Sequence, residues 1–425
     1  MPLSNLVKAE QAHQKGDMAL AKEYYQLALA EDTNSASALY GLGTVALQEK
    51  LPQEAENLLG RASKLEPEAA DIALNHAVAC NRNGNIQGAI EHALRAARLA
   101  INDEFFLNTV CQLLLKLKQA EAVLTLKTKR QQRKQFSRVG RQPKPDVKGQ
   151  IDSEIIVARA YGMLGQWDAA VSLLRALSVS YFEDPRVCQE LSIAAARLRD
   201  YPLAIESYQR YMQLINCGAQ EHVRLADLFL LARDKQGLET QLAYANKFGA
   251  NDAEYHVLRA RLARLNRDNQ SAQISCDSAL KKQPDHGPVW GLLLELTNAE
   301  ETESYLELLK YAIAHTTSNN SNQASLHFAY AGALQKLQRY RLAFEQFNIA
   351  NKLHRLDLHS RGVEYNAQKN EAQLENTTRH FTVSCVGAND EPGPTAPICI
   401  VGMPRSGTTL MEKLLAQLKG VMAGG

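Results

Sequence analysis

Close to the end of the chain, Ile398, Cys399, Ile400 and Val401 form an unbroken apolar run, followed by Gly402, Arg405, Gly407, Thr408 and Thr409. Four apolar residues in a row are what a parallel strand buried on both faces requires. Gly402 permits a sharp exit from such a strand, and Gly407 lets backbone come close to a ligand. From Thr408 or Thr409 a helix is expected, its apolar face carrying Leu410, Leu414, Leu415 and Leu418. The N–H groups that open such a helix have no partner within it, and with the helix dipole they make an anion site. Inside the loop, the guanidinium of Arg405 offers a flat fork of donors that fits two oxygens of phosphate or sulfate together.

The spacing of Gly402 and Gly407 agrees with the triphosphate-binding pattern G-x-x-x-x-G-K-[ST], but Thr408 stands where the lysine belongs. That absence argues against ATPase or kinase chemistry. The phrase "GMPRSGTTL", from Gly402 to Leu410, instead resembles the phosphosulfate-binding loop of sulfotransferases. Its "PRSGTTL" form is similar to that of protein-tyrosine sulfotransferases and of bacterial sulfotransferases with an N-terminal repeat array. "TTRHFT", near Phe381, is similar to the stretch those fused proteins place between their two parts. The resemblance implies 3′-phosphoadenosine 5′-phosphosulfate as donor and in-line transfer of its sulfuryl group to a hydroxyl of a protein tyrosine or a saccharide. It implies no metal. Arg405 would then contact the 5′-phosphate and sulfonate oxygens, while Ser406, Gly407, Thr408 and Thr409 supply backbone and hydroxyl donors to the same phosphate. Such donors stabilise the charge that gathers on the leaving phosphate.

The family's general base is an acidic residue just past this helix, in a phrase resembling G-E. The chain reads Gly424-Gly425 at that place, so the base is expected beyond residue 425, and Leu418-Lys419 occupies the usual His-Pro. One strand and one helix cannot cover both faces of a sheet. Residues 397–425 are therefore expected to be the first fragment of a C-terminally truncated catalytic domain, inactive as it stands.

What must position this loop is everything before it, and there a period of 34 residues dominates. In the unit 36–69, Gly43, Ala55, Ala62 and Pro67 occupy positions 8, 20, 27 and 32. Steps of 34 find Ala77, Ala89 and Ala96 on one side and Ala9, Ala21 and Ala28 on the other. The register fades after Glu104 and resumes at Ile151 with Ala158 and Ala170. It continues through units opening at Pro185, Ala219, Ala253, Gly287 and, after an Asn/Ser-rich insertion, near Ala324. Small residues at three fixed positions let two antiparallel helices approach closely. Turn residues fall between them, as in Gly16-Asp17, Gly84-Asn85 and Gly165-Gln166, and Pro67 and Pro284 end second helices. The pattern resembles the tetratricopeptide repeat, and Trp290 sits at that repeat's own aromatic position, where packing accounts for it.

The expected fold is all-α, a superhelical solenoid followed by the first strand, loop and helix of an α/β domain. Its divisions are repeats at 1–126, a basic linker at 127–150, repeats at 151–357, a capping helix and linker at 358–396, and the sulfotransferase fragment at 397–425. The linker phrase 127–148 holds nine basic residues and one acid, and is expected to be a solvated connector. First helices of such arrays line a concave groove that binds peptides. If the family's groove positions 2, 5, 9, 12 and 13 apply, Arg82, Arg159, Arg197, Arg261 and Arg264 face it and favour an acidic protein segment.

Composition narrows the rest. The 425 residues carry 48 basic and 46 acidic side chains, a net +2 that indicates neither nucleic acid nor membrane as partner. Seven dispersed cysteines without a C-x-x-C pair predict neither a disulfide framework nor a zinc site. Eleven histidines are scattered without metal-site spacing. The first residues lack the apolar core of a secretion signal, and no run approaches the ~18 apolar residues of a membrane span. A cytoplasmic protein is expected. Two readings stay open: a repeat-fused sulfotransferase, or a repeat scaffold without catalysis.

Overall fold

The computed structural model describes residues 4–136, 147–360, 363, 366–380 and 408–417, which contain 22 helices and no strand. They run as α1 (Asn5–Gln14), α2 (Met18–Glu31), α3 (Ala36–Gln48), α4 (Pro52–Leu65), α5 (Ala70–Arg82), α6 (Ile86–Leu99), α7 (Glu104–Lys116) and α8 (Ala120–Phe136). Next come α9 (Val147–Met163), α10 (Trp167–Ser180), α11 (Pro185–Leu198), α12 (Tyr201–Leu214), α13 (Ala219–Leu231), α14 (Lys235–Lys247), α15 (Ala253–Leu265) and α16 (Asn269–Lys282). The last are α17 (Gly287–Leu296), α18 (Ala299–His315), α19 (Asn320–Lys336), α20 (Tyr340–Ser360), α21 (Ala367–His380) and α22 (Thr408–Leu415). The chain divides into two compact units, Met1–His354 and Arg355–Gly425.

From α1 to α17 each helix packs on the next, odd with even as hairpins and each hairpin on its successor, and beyond them α17 and α18 both pack on α19. This is the fold class expected, an all-α solenoid of stacked helix pairs. The 34-residue step recurs in the starts of α3, α5 and α7, and again in those of α11, α13, α15 and α17. Ala21, Ala55, Ala62, Ala89, Ala96, Ala204, Ala245, Ala272 and Ala279 are fully buried where the helices touch. Where the register fades, α7 and α8 still lie where the period puts them. Positions 8, 20 and 27 are there Cys111, Val123 and Arg130, all buried, so the side chains changed while the hairpin stayed.

The basic stretch 127–150 differs from a solvated connector at both its ends. Lys127 to Phe136 is the second half of α8, and α9 already begins at Val147. Lys127 and Arg130 turn inward and are buried. Arg130 pairs with Glu104 at 3.1 Å and donates to the Ile101 carbonyl at 3.4 Å, and partners of this kind are what make a buried cation tolerable. The middle of the stretch, 137–146, lies outside the described residues, as do the linker at 381–396 and the apolar run Ile398–Val401. Trp290 is buried, donating its indole N–H to the Pro284 carbonyl at 2.8 Å with Tyr305 edge-on, a packing role.

Nine of the ten helix pairs turn the same way. The fifteenth residue of the unit lies in the left-handed region: Gly16, Gly84 and Gly165 in three, and Lys50, Lys118, Arg199, Arg233, Arg267 and Gln338 in six. The next residue donates its N–H back five residues, as in Asp17 to Ala12 at 3.0 Å and Asp268 to Ala263 at 2.9 Å. This closes the first helix as a Schellman cap. That same residue, where it is Asp or Asn, then caps the second helix, Asp268 accepting from Ser271 N–H at 3.0 Å and Asn85 from Gly88 N–H at 3.0 Å. The exception is α17–α18, where Asn298 and Glu301 form a reciprocal capping box instead. A left-handed backbone costs a side-chain-bearing residue about 1–2 kcal/mol, and glycine returns about half of that as unfolded-state entropy. Arg267→Gly, at φ 58°, is therefore expected to stabilise the chain by up to about 1 kcal/mol, read as a higher midpoint in thermal melting.

Candidate functional site

A cleft of about 550 Å³ opens where α7, α9 and α11 lie side by side. Its lining includes Gln112, Leu115 and Lys116 from α7, Arg159, Gly162 and Met163 from α9, and Ile193 from α11. These are positions 9, 12 and 13 of three consecutive units, apart from the last two of the third. The floor is apolar. Trp167 packs over Gly162 so closely that a Cβ there would stand 2.6 Å from the indole, so glycine is what allows the ring into the cleft wall. Met163 and Ile193 are about half exposed and stand together in the lining of this cleft. Across the opening, Arg159 makes a two-pronged contact with Glu190, at 3.0 and 2.5 Å.

The five arginines expected to make the groove basic are not brought together. Arg82 edges a separate cleft of about 550 Å³ with Leu47, Gln48, Lys50 and Pro52, and donates to the Leu47 carbonyl at 2.7 Å. Arg264 pairs with Glu295 at 2.8 Å. Arg261 lies beside Asp227, whose carboxyl is pushed up by burial and drawn partly back by that guanidinium. Glu254 is pushed up too, chiefly by burial and then by Asp227 and Asp252. Arg197 is exposed and has no ion-pair partner among the described residues. Inner positions therefore mix both signs. Arg159–Glu190 and Arg264–Glu295 are each separated by 31 residues, one repeat onward and just short of one period. Counting basic residues at single positions could not find these pairs, whereas looking 31 residues ahead of each arginine would have.

Of the anion loop, Arg405, Ser406 and Gly407 lie outside the described residues. Thr408 and Thr409 open α22, where the helix was expected to begin, Thr408 half-buried and Thr409 exposed. Met411 and Leu414, further along that helix, are about half exposed. No helix among the described residues is long and apolar enough to cross a membrane.

Against known proteins, residues 397–425 match the family model of the sulfotransferase family, and residues 40–104 match that of the tetratricopeptide repeat. A curated relative, an uncharacterized protein of Aquifex aeolicus (strain VF5), is 27% identical over 134 residues, or 31% of this chain. The chain spans 17% of that relative's length. Among solved structures, it is similar to a tetratricopeptide repeat protein from Parabacteroides merdae, at 14% identity and a TM-score of 0.38, over 69% of this chain and 96% of that one. It is similar also to Pseudomonas aeruginosa pilF, at 17% identity and a TM-score of 0.33, over 59% of this chain and 92% of that one.

Proposed function

Starting from a tetratricopeptide-repeat array joined to a segment that matches the sulfotransferase family, we propose a division of labour between a peptide-holding cleft and a sulfuryl-transfer site. The array holds a segment of a partner protein along α7, α9 and α11. The segment carries an apolar side chain over Met163 and Ile193 and an acidic group that competes with Glu190 for Arg159. The observation that supports this is the cleft itself, whose rim repeats the same unit positions across neighbouring helices. The mixed charge of the inner positions favours such a segment over a uniformly acidic one.

The second part belongs to a site that takes 3′-phosphoadenosine 5′-phosphosulfate and passes its sulfuryl group to a hydroxyl on the held protein, a transfer that needs the base expected beyond residue 425. The acceptor oxygen gains the bond to sulfur, the bond from sulfur to the phosphate oxygen breaks, and the hydroxyl proton leaves to a base. Arg405, with the N–H groups and hydroxyls of Ser406 to Thr409, takes up the charge left on the phosphate. The exposed Met411 and Leu414 of α22 fit a helix whose apolar face belongs against a sheet.

Selection of peptides from a displayed library on the chain, followed by affinity measurement, tests the cleft. Ile193→Asp is expected to weaken the selected peptides by ten- to a hundred-fold, since covering the exposed half of an isoleucine is worth about 1 kcal/mol and covering an unpaired carboxylate in its place costs more. Unchanged affinity would remove the cleft from consideration. Calorimetry with the donor nucleotide tests the loop: Arg405→Ala is expected to weaken it about ten- to a hundred-fold, from a charge-assisted contact of roughly 1.5–3 kcal/mol. Peptide binding without any donor-nucleotide binding would favour the scaffold reading.

A further inference from the structure

We propose that His76, Cys80 and His92, with Glu56 closing the set, form a binding site for one zinc-like divalent metal ion at the junction of α4, α5 and α6. A ring nitrogen of each histidine and the Cys80 sulfur all lie within 4.8 Å of one another. His76 and Cys80 are four residues apart on α5 and share its face, while His92 reaches them from α6. Glu56, on α4 of the preceding hairpin, accepts from the Cys80 thiol at 3.4 Å. Its two oxygens are held in place by Asn83 at 2.6 Å and Asn85 at 2.7 Å.

What points to a ligand is the state of the two imidazoles. His76 is 8% exposed and Cys80 is fully covered. The Nδ1 atoms of both His76 and His92 are buried without a hydrogen-bond partner. The rings lie stacked, centroids 3.9 Å apart and 23° from parallel. A buried ring nitrogen left unpaired forfeits the bonds it made to water, and two such nitrogens side by side have no packing rationale. An ion in their midst uses a lone pair of each ring, with the half-buried His92 turning out of the stack to converge on it.

The chemistry of the set agrees. Imidazoles are largely neutral, and so able to ligate, near neutral pH. The Cys80 thiol donates to Glu56, so without an ion it carries its proton. On binding, the sulfur–hydrogen bond gives way to a sulfur–metal bond and one proton is released to solvent. Two nitrogens, a thiolate and a carboxylate suit zinc or cobalt(II) in a tetrahedral set, and not magnesium or calcium, which take oxygen ligands. Because the ligands come from two successive hairpins, the ion would staple one repeat to the next. This departs from the expectation of no metal, which was drawn from the lack of C-x-x-C.

The test is titration of the chelator-treated, full 425-residue chain with zinc and, separately, with cobalt(II). One zinc per chain is expected, together with a near-ultraviolet thiolate-to-cobalt band and the visible absorption of a tetrahedral site. His92→Gln, at a half-buried position, is expected to weaken binding at least ten-fold, and Cys80→Ser to abolish the thiolate band. Helical circular dichroism of each metal-free variant reports whether it folds. If Cys80→Ser does not fold, the cobalt spectrum of the unaltered chain and the His92→Gln affinity decide the matter. No zinc uptake by the unaltered chain, or uptake and spectra indifferent to His92→Gln, would overturn the site.

Discussion

Asn108→Leu is expected to destabilise the chain by about 3 kcal/mol, whereas Lys127→Met should change stability by less than about 1 kcal/mol. Lys127, on α8, is 4% exposed, and its ammonium is accepted by the side-chain oxygen of Asn108, on α7, and by Ser153 Oγ, on α9, at 2.8 Å. The Asn108 amide in turn donates to the Gly149 carbonyl of α9 at 3.0 Å. One asparagine thus holds a buried cation and pins two helices. Removing it leaves the buried ammonium with Ser153 Oγ as its one remaining side-chain acceptor, which costs more than the bond was worth. Removing the ammonium as well relieves that cost, so Asn108→Leu combined with Lys127→Met should recover most of the loss. Denaturant titration of the four chains checks this. The account fails if Asn108→Leu is no more damaging than Lys127→Met.

The same group makes a pH prediction. Burial, the largest influence on it, lowers the Lys127 pKa from 10.5. A base whose folded pKa lies below its unfolded one penalises folding in full while it is charged in both states, at pH below the folded value. The penalty fades as pH climbs from that value toward 10.5. Stability of the unaltered chain should therefore rise through that window relative to Lys127→Met. Because repeats interact with their neighbours alone, hydrogen exchange should localise the Asn108→Leu damage to α7 through α9.

The second large effect separates two glycines of one helix. Gly287→Ala is expected to destabilise by about 2–3 kcal/mol, and Gly291→Ala to stabilise by about 0.5–1 kcal/mol. A Cβ on Gly287 would stand 2.8 Å from both the Asn322 carbonyl oxygen and the Leu326 nitrogen, and 2.6 Å from the Ser325 Cβ. Those are backbone atoms and the root of a side chain, so α17 must move from α19 to make room. The Gly287 N–H also donates to the Asn322 side chain at 2.9 Å, a contact that fixes the approach. At Gly291 a Cβ meets nothing within 4 Å, and only the lower entropy of unfolded alanine remains. Thermal melting of the two variants should show midpoints moving in opposite directions. Movement in the same direction would mean that α17 and α19 are not in close contact.

The residues that were legible beforehand are those whose role is local or strictly periodic. Small residues at positions 8, 20 and 27 mark where helices touch, and each position repeats often enough to be seen through noise. Gly16, Gly84 and Gly165 announced their turns because glycine is the residue a left-handed backbone prefers. The same turn at Arg199, Arg233 and Arg267 was hidden, since there the tertiary fold imposes the conformation on residues that do not favour it. The continuation of α8 past residue 126 was hidden for a related reason. Its buried Lys127 and Arg130 read as solvated charge until Asn108, Ser153 and Glu104 are seen to surround them.

The groove arginines and the histidine–cysteine cluster show the same division. Arg159 and Arg264 were placed by their positions within single units, but their acidic partners arrive from the next repeat. His76 and Cys80 are visibly one turn apart. What sets them against His92 and Glu56 is the packing of three helices, and no spacing rule registers that.

By itself, the sequence determined the period and the helix pairs, because backbone preference and close packing act between residues near in the chain or one period apart. Only the tertiary structure decided which charges are spent on each other, which cation is buried and which lone pairs are left without partners. Those outcomes depend on distance and exclusion of water, and residues well apart in the chain, such as Asn108 and Gly149, meet through them.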